Sequence, residues 1–114
     1  MSAGTVDKTP DGEQLLVILG ALANAHRFRI LSVLSKKGRT YVSQLARDVG
    51  ISRPLLHLHL QKLEAAGLVS SKLELSADGK ALNYFEVTDF AITLTPSAIV
   101  EAAASLPDLT REPE

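Results

Sequence analysis

A chain of 114 residues fits one domain, and its 46% hydrophobic content supports a packed core and excludes a disordered polymer. No cysteine is present, which excludes disulfides, thiolate metal sites and cysteine nucleophiles. The net charge of −1 hides an asymmetry, because residues 26–80 carry ten Lys and Arg against four acids, a local +6 between acidic ends of −2 and −5. Local field governs an encounter with phosphates more than net charge does, so a basic centre can present a cationic face. The same run also fits an ordinary solvated surface.

Residues 1–10, MSAGTVDKTP, are small and polar and read as a flexible tail. The stretch 13–23 is almost uniformly apolar and made of good helix formers, which predicts a first helix. Gly20 and Asn24 break its apolar run well short of the ~20 residues of a membrane span. With no leader-like segment either, the chain reads as cytoplasmic and without a membrane partner. Asn24 offers an N-cap to a second helix over about 25–36, with Phe28, Ile30, Leu31 and Leu34 turned inward and Gly38 as its stop. Thr40 is placed to cap a short third helix over 42–49 that turns Leu45 and Ala46 inward. Gly50 permits the positive φ of a tight turn. Ser52 then caps a fourth helix to about residue 66, with Pro54 tolerated in its first turn and Gly67 ending it.

From Val69 the period changes to two, Leu73 and Leu75 alternating with Lys72 and Glu74 as in a strand. Asp78-Gly79 predicts a hairpin turn, and 82–87 returns as the second strand. Phe90, Ile92 and Leu94 alternate in a shifted phase, which predicts a bulge or bend at Thr88-Asp89. Thr95-Pro96 reads as the cap and first position of a last helix to about Leu106, closed by Pro107. Residues 107–114 read as a second, acidic tail.

Two helices, a short helix, a tight turn, a longer helix and a β-hairpin make a winged helix-turn-helix. This is a mainly α, α+β fold with five helices and a two-stranded wing, occupying residues 11–106. Its informative segment is QLARDVGISRPLLHLHLQKL, from Gln44 to Leu63. Ala46 is small enough for two helices to cross there, Gly50 turns the chain, and Leu45, Val49, Ile51, Leu56 and Leu60 supply the contacts that fix the angle. Such a unit holds its second helix proud of the surface, where it fits the ~12 Å wide major groove of double-stranded DNA.

Residues 19–94 also resemble the ArsR/SmtB family of winged-helix repressors, in its metal-free branch. LGALANAHRFRILSVLSKKG is similar to the family's L-x-A-L-A-D-P-T-R-L-R-I-L-x-x-L, and ISRPLLHLHLQKLEAAGLV to its recognition segment L-S-Q-P-x-V-S-x-H-L-x-x-L-x-x-A-G-L-V. The resemblance implies a DNA-binding transcriptional regulator and does not identify its inducer. Tyr41 and Ser43 stand where that family's best-known thiol pair lies, and a phenol and a hydroxyl are poor ligands for a soft metal. Some relatives bind zinc through histidines and carboxylates of their terminal helices, but this chain has no histidine after His59. No metal and no cofactor is expected.

Steps of 100° on the fourth helix bury Leu56, His59, Leu60 and Leu63 and leave Arg53, Pro54, His57, Leu58 and Gln61 outside. With the cap Ser52, these outer residues are the candidates for base reading. Arg53 and His57 can donate to guanine N7 or O6, and Gln61 can pair with adenine. Thr40, Arg47, Lys62, Lys72 and Lys80 are the candidates for phosphate contact, which holds register without reading sequence. Plain exposure is the alternative reading of His57. Leu58 reads as a contact to a thymine methyl, as a contact to a protein partner, or as one of many scattered exposed leucines. Asp48 and Glu64 read as solvated acids.

In the first helix Leu15, Leu16, Val17, Ile18, Leu19 and Leu22 point in nearly every direction, and a helix apolar all round must be covered all round. Ala98, Ile99, Ala102, Ala103 and Leu106 of the last helix offer matching surface. A homodimer through helices 13–23 and 96–106 follows, which also resembles the family's arrangement. No phosphate-binding loop or nucleophile motif appears, so no catalysis is expected. The reading is a dimeric regulator of transcription that represses by occluding its operator. Two rivals fit the same pattern: a winged helix that binds protein through Leu58, and a metal sensor built from non-thiol ligands.

Overall fold

The computed structural model describes residues 10–108. Its elements run α1 (Gly12–Leu22), α2 (Ala25–Lys37), β1 (Thr40–Tyr41), α3 (Val42–Val49), α4 (Arg53–Ala65), β2 (Val69–Leu75), β3 (Ala81–Val87) and α5 (Pro96–Ala103). The tails expected at 1–10 and 107–114 lie outside the described residues, apart from Pro10, Pro107 and Asp108. No single helix among the described residues is long and apolar enough to cross a membrane.

Side-chain oxygens start four of the five helices. Asn24, Ser52 and Thr95 each accept a backbone N–H of the first turn of α2, α4 and α5. At α1 the cap is reciprocal: the Asp11 carboxylate accepts from the Gln14 N–H at 2.8 Å, and Gln14 Oε1 accepts from the Asp11 N–H at 3.1 Å. The fifth start, α3, departs from expectation. Thr40 is buried in β1 and donates its hydroxyl to the Gly38 carbonyl at 2.8 Å, while the residue at the N-cap position is Tyr41, which supplies no side-chain bond. Pairing draws this stretch into the sheet, with Thr40 opposite Phe85 and Tyr41 opposite Tyr84. The sheet is therefore three-stranded and antiparallel, in the order β1-β3-β2.

The core lies where α2, α3 and α4 meet the root of that sheet. Ile30, Leu34, Leu45, Leu56, Leu60, Leu63 and Leu68 are its largest fully buried side chains, and Val69 and Phe85 close it from the strands. Between α3 and α4, Gly50 takes the left-handed conformation (φ 84°, ψ 32°) that a β-carbon would penalise. Phe28 does not turn inward as expected. It is 60% exposed, because its helical angle falls outside the arc of Ile30, Leu31 and Leu34. Leu73 and Leu75 are also exposed, since β2 runs beyond the body of the domain into the wing.

Neither a bulge nor a bend forms at Thr88-Asp89. β3 ends at Val87, and Thr88 still faces the start of β2, donating its N–H to Leu68 O at 3.0 Å and its hydroxyl to Gly67 O at 2.8 Å. The chain then crosses 88–95 outside any ladder and enters α5. Regular helix stops at Ala103, and Ser105 and Leu106 continue as a looser turn, donating to Ala102 O and Ala103 O at 3.2 and 3.1 Å.

That turn docks on the start of α1. The Gly12 N–H donates to Ser105 Oγ at 2.7 Å. A β-carbon on Gly12 would collide with the Ala102 carbonyl oxygen and lie 2.7 Å from Leu106 Cγ. Alanine ordinarily gains about 0.5–1 kcal/mol over glycine in a helix. Overpacking a tight contact costs about 1–3 kcal/mol, so the collision wins. Gly12→Ala is expected to lower the thermal midpoint, and a midpoint equal to or above wild type would contradict the close packing of α1 on α5.

Candidate nucleic-acid interface

The rotation of α4 decides what it displays. Leu56, His59, Leu60 and Leu63 are buried, whereas Ser52, Arg53, Pro54, His57, Leu58 and Gln61 are all exposed. Pro54, Leu58 and Gln61 form the outermost row. Arg53 and His57 sit on the flank facing the wing, where they line a groove of ≈ 180 Å³ with Ser43, Leu73 and Asn83. Ser52 is exposed but already occupied, its Oγ accepting from the Leu55 N–H at 3.3 Å.

The cationic candidates divide differently. Arg47, Lys62, Lys72 and Lys80 are exposed, and Arg47 is steadied by donating to Gln44 Oε1 at 2.7 Å. Thr40 is a correction. Only 6% exposed and bonded to Gly38, it has no surface to offer a phosphate. Asp48 is not simply solvated. It accepts from Lys37 Nζ at 2.8 Å and from Gln44 Nε2 at 2.9 Å, and these bonds, that to Lys37 first, hold its carboxyl below its ordinary range. Glu64 is likewise engaged, accepting from the Ser71 hydroxyl at 2.8 Å and so linking α4 to β2.

A clamp across the wing is not apparent from the sequence. Arg39 donates to Glu74 Oε2 at 2.6 Å and lies 4.4 Å from the centre of the Tyr84 ring, against which Tyr41 packs edge-on at 5.8 Å. The bond from Arg39 lowers the Glu74 carboxyl. With both partners partly exposed, solvent screens the ion pair and it adds little to stability. Its effect is geometric, tying the loop before β1 to the β2 strand of the wing.

Behind α4 lies a second cluster. Arg27 Nε donates to Ala21 O at 2.6 Å, and its Nη1 meets His59 Nδ1 at 3.1 Å. A guanidinium can only donate, so His59 Nδ1 accepts and the ring carries its proton on Nε2. That Nε2 and His26 Nδ1 are buried without a hydrogen-bond partner, and the two rings lie 5.3 Å apart. Burial first, then the charge of Arg27, lowers the pKa of His59. The buried histidine is readable from the helical period; its arginine, 32 residues earlier, is not.

The surface of α1 and α5 is apolar. Leu16 is 58% and Ile99 52% exposed, Ala103 is exposed, and Ile18, Leu19, Leu22, Ala98, Ala102 and Leu106 are half-buried. Leu15 is a correction, since it is buried within its own chain and has nothing left for a partner. Val17, expected on that all-round apolar helix, and Val100, which the sequence reading missed, add exposed apolar area.

Comparison with known proteins agrees with this geometry. Residues 24–71 match the family model described as bacterial regulatory protein, arsR family. The chain is 37% identical over 70 residues to an uncharacterised helix-turn-helix-type transcriptional regulator of Methanocaldococcus jannaschii, covering 61% of this chain and 72% of that protein. It is 34% identical over 88 residues to the nodulation protein NolR of Rhizobium meliloti, covering 77% and 68%. The crystal structure of NolR from Sinorhizobium fredii superposes with a TM-score of 0.57 at 29% identity, over 91% of this chain and 89% of that one. The homodimeric winged helix-turn-helix DNA-binding domain of a possible ArsR-family regulator from Mycobacterium bovis gives 0.59 at 28% identity, over 66% and 64%.

The lowered pKa of His59 has a consequence for stability. Between that pKa and its ordinary 6.5 the unfolded chain binds more protons than the folded one. The contribution is therefore complete above about pH 6.5 and is lost as pH falls toward the folded value. Asp48, Glu74 and Asp78, all lowered, act only below their ordinary values of 3.8–4.5. The thermal midpoint is expected to fall between pH 7.5 and 5.5, and His59→Gln to flatten that slope. An equal slope in the variant would contradict the buried neutral imidazole.

Proposed function

The chain belongs to the arsR family of bacterial regulatory proteins, and on that premise we propose that it is a repressor that binds operator DNA as a homodimer. It is a transcriptional regulator with a winged helix-turn-helix DNA-binding fold. The observation that carries the fuller reading is the rotation of α4. Leu56, Leu60 and Leu63 are spent in the core, so Arg53, His57 and Gln61 stand free beside a wing that carries Lys72 and Lys80. On this reading Arg53 and His57 donate to guanine N7 or O6, Gln61 pairs with adenine, and Ser52 and Pro54 set the approach of the helix start. Arg47, Lys62, Lys72 and Lys80 hold phosphates on either side.

Half-exposed Leu16 and Ile99, with Ala98, Ala102 and Ala103 permitting close approach, support a two-fold dimer through α1 and α5. The homodimeric domain from Mycobacterium bovis supports the same assembly. A two-fold dimer presents its recognition helices to a pseudo-palindromic site and, bound there, excludes polymerase.

Fluorescence anisotropy on a duplex selected from genomic fragments tests this reading. Arg53→Ala is expected to lose about 1–3 kcal/mol on that duplex, the worth of a bidentate guanine contact. Lys80→Ala is expected to weaken every sequence alike and to reduce the salt dependence by about one phosphate contact. Arg53→Ala binding as tightly as wild type at matched salt would contradict the assignment of α4.

A further inference from the structure

We propose that Leu58 reads the C5-methyl group of a thymine, so that each operator half-site carries a T·A pair under the centre of α4. The inference rests on the DNA-binding reading and names what that site reads. Leu58 is 60% exposed at the middle of the outermost row of α4, with Pro54 before it and Gln61 after it. On a helix laid in the major groove this row lies deepest, so Leu58 meets base edges rather than phosphates. An isobutyl group offers no hydrogen bond. The major-groove feature that it complements is the thymine methyl, which is withdrawn from water on contact.

Gln61 strengthens the case. Side chains three apart on a helix face are ≈ 5–6 Å apart at their β-carbons, against a base-pair rise of about 3.4 Å. Leu58 and Gln61 therefore address base pairs one or two steps apart. The amide of Gln61 matches adenine N6 and N7, so the two side chains together read a short stretch that contains A·T pairs.

The surroundings suit nucleic acid. Along α4 Leu58 has Pro54 and Leu55, both exposed, on one side and Gln61 and Lys62, both exposed, on the other, with Leu55 only 38% open. An apolar strip this short, bounded by Lys62 along the helix and by Arg53 and His57 on the flank, suits a polyanion that displays methyl groups along its groove.

Deoxyuridine keeps every hydrogen-bonding group of thymidine and lacks only the methyl. Duplexes selected from a random-sequence pool by the full chain are therefore rebound with thymine or deoxyuridine at each fixed thymine of one half-site. At one such position wild type is expected to bind the deoxyuridine duplex about fourfold more weakly, the worth of one methyl withdrawn from water. Leu58→Ala, at an exposed position where the melting curve should not move, is expected to bind both duplexes alike. Equal binding by wild type at every fixed thymine, or undiminished discrimination by Leu58→Ala, overturns the thymine contact and leaves DNA binding through α4 standing. Enrichment of no sequence from the pool overturns the DNA-binding reading and the thymine contact together.

Discussion

Burial of Leu56, Leu60 and Leu63 in one cluster with Ile30, Leu34 and Leu45 sets the rotation of α4 about its own axis, and the displayed surface follows from that rotation. Truncating one such leucine to alanine typically costs about 2–5 kcal/mol. An exposed ion pair such as Lys37–Asp48 contributes far less, because solvent screens it. Core packing therefore decides which residues of α4 face outward, and the surface charges adjust to it. Turning the helix by a single residue, 100°, would bury Arg53 or His57 without partners, a far larger penalty than any contact they make with solvent.

The wing is positioned by different means. Its root is buried through Leu68, Val69 and Phe85, but beyond Ser71 the β2 strand leaves the body and loses core contact. Three polar ties compensate. Arg39 links the approach to β1 with Glu74, Ser71 reaches Glu64 on α4, and Thr88 closes back on Gly67 and Leu68. Each is individually modest, yet together they orient a hairpin that has too few apolar contacts to orient itself. The result places Leu73 and Asn83 beside Arg53 and His57 along one groove.

Features of short range were legible in the sequence. Asn24, Ser52 and Thr95 cap the expected helices, Gly50 turns where a positive φ is needed, and Asp78-Gly79 lies in the loop between β2 and β3. The inner row of α4 followed from its 3.6-residue period. Long-range features were not legible. A two-residue strand has no period, so the pairing of Thr40 and Tyr41 with β3 gave no signal. Leu15 lies against a chain segment that arrives some eighty residues later, at Ile92, Ala98 and Ala102, and the role of Gly12 depends on the arrival of Ser105 and Leu106. Arg27 reads as one cation among ten until α4 brings His59 to it. At the candidate interface the outward residues of α4 could be read from its helical angles. The availability of Thr40 could not, because it depended on the strand.

The central claim is that two α4 helices of a dimer enter successive major grooves on one face of the duplex. Hydroxyl-radical footprinting of the chain on a selected duplex tests it most directly. The expected pattern is two protected segments related by a two-fold axis, with centres about 10–10.5 base pairs apart, one helical turn. A single protected segment at saturating protein, or two whose spacing is not a whole number of turns, would contradict it.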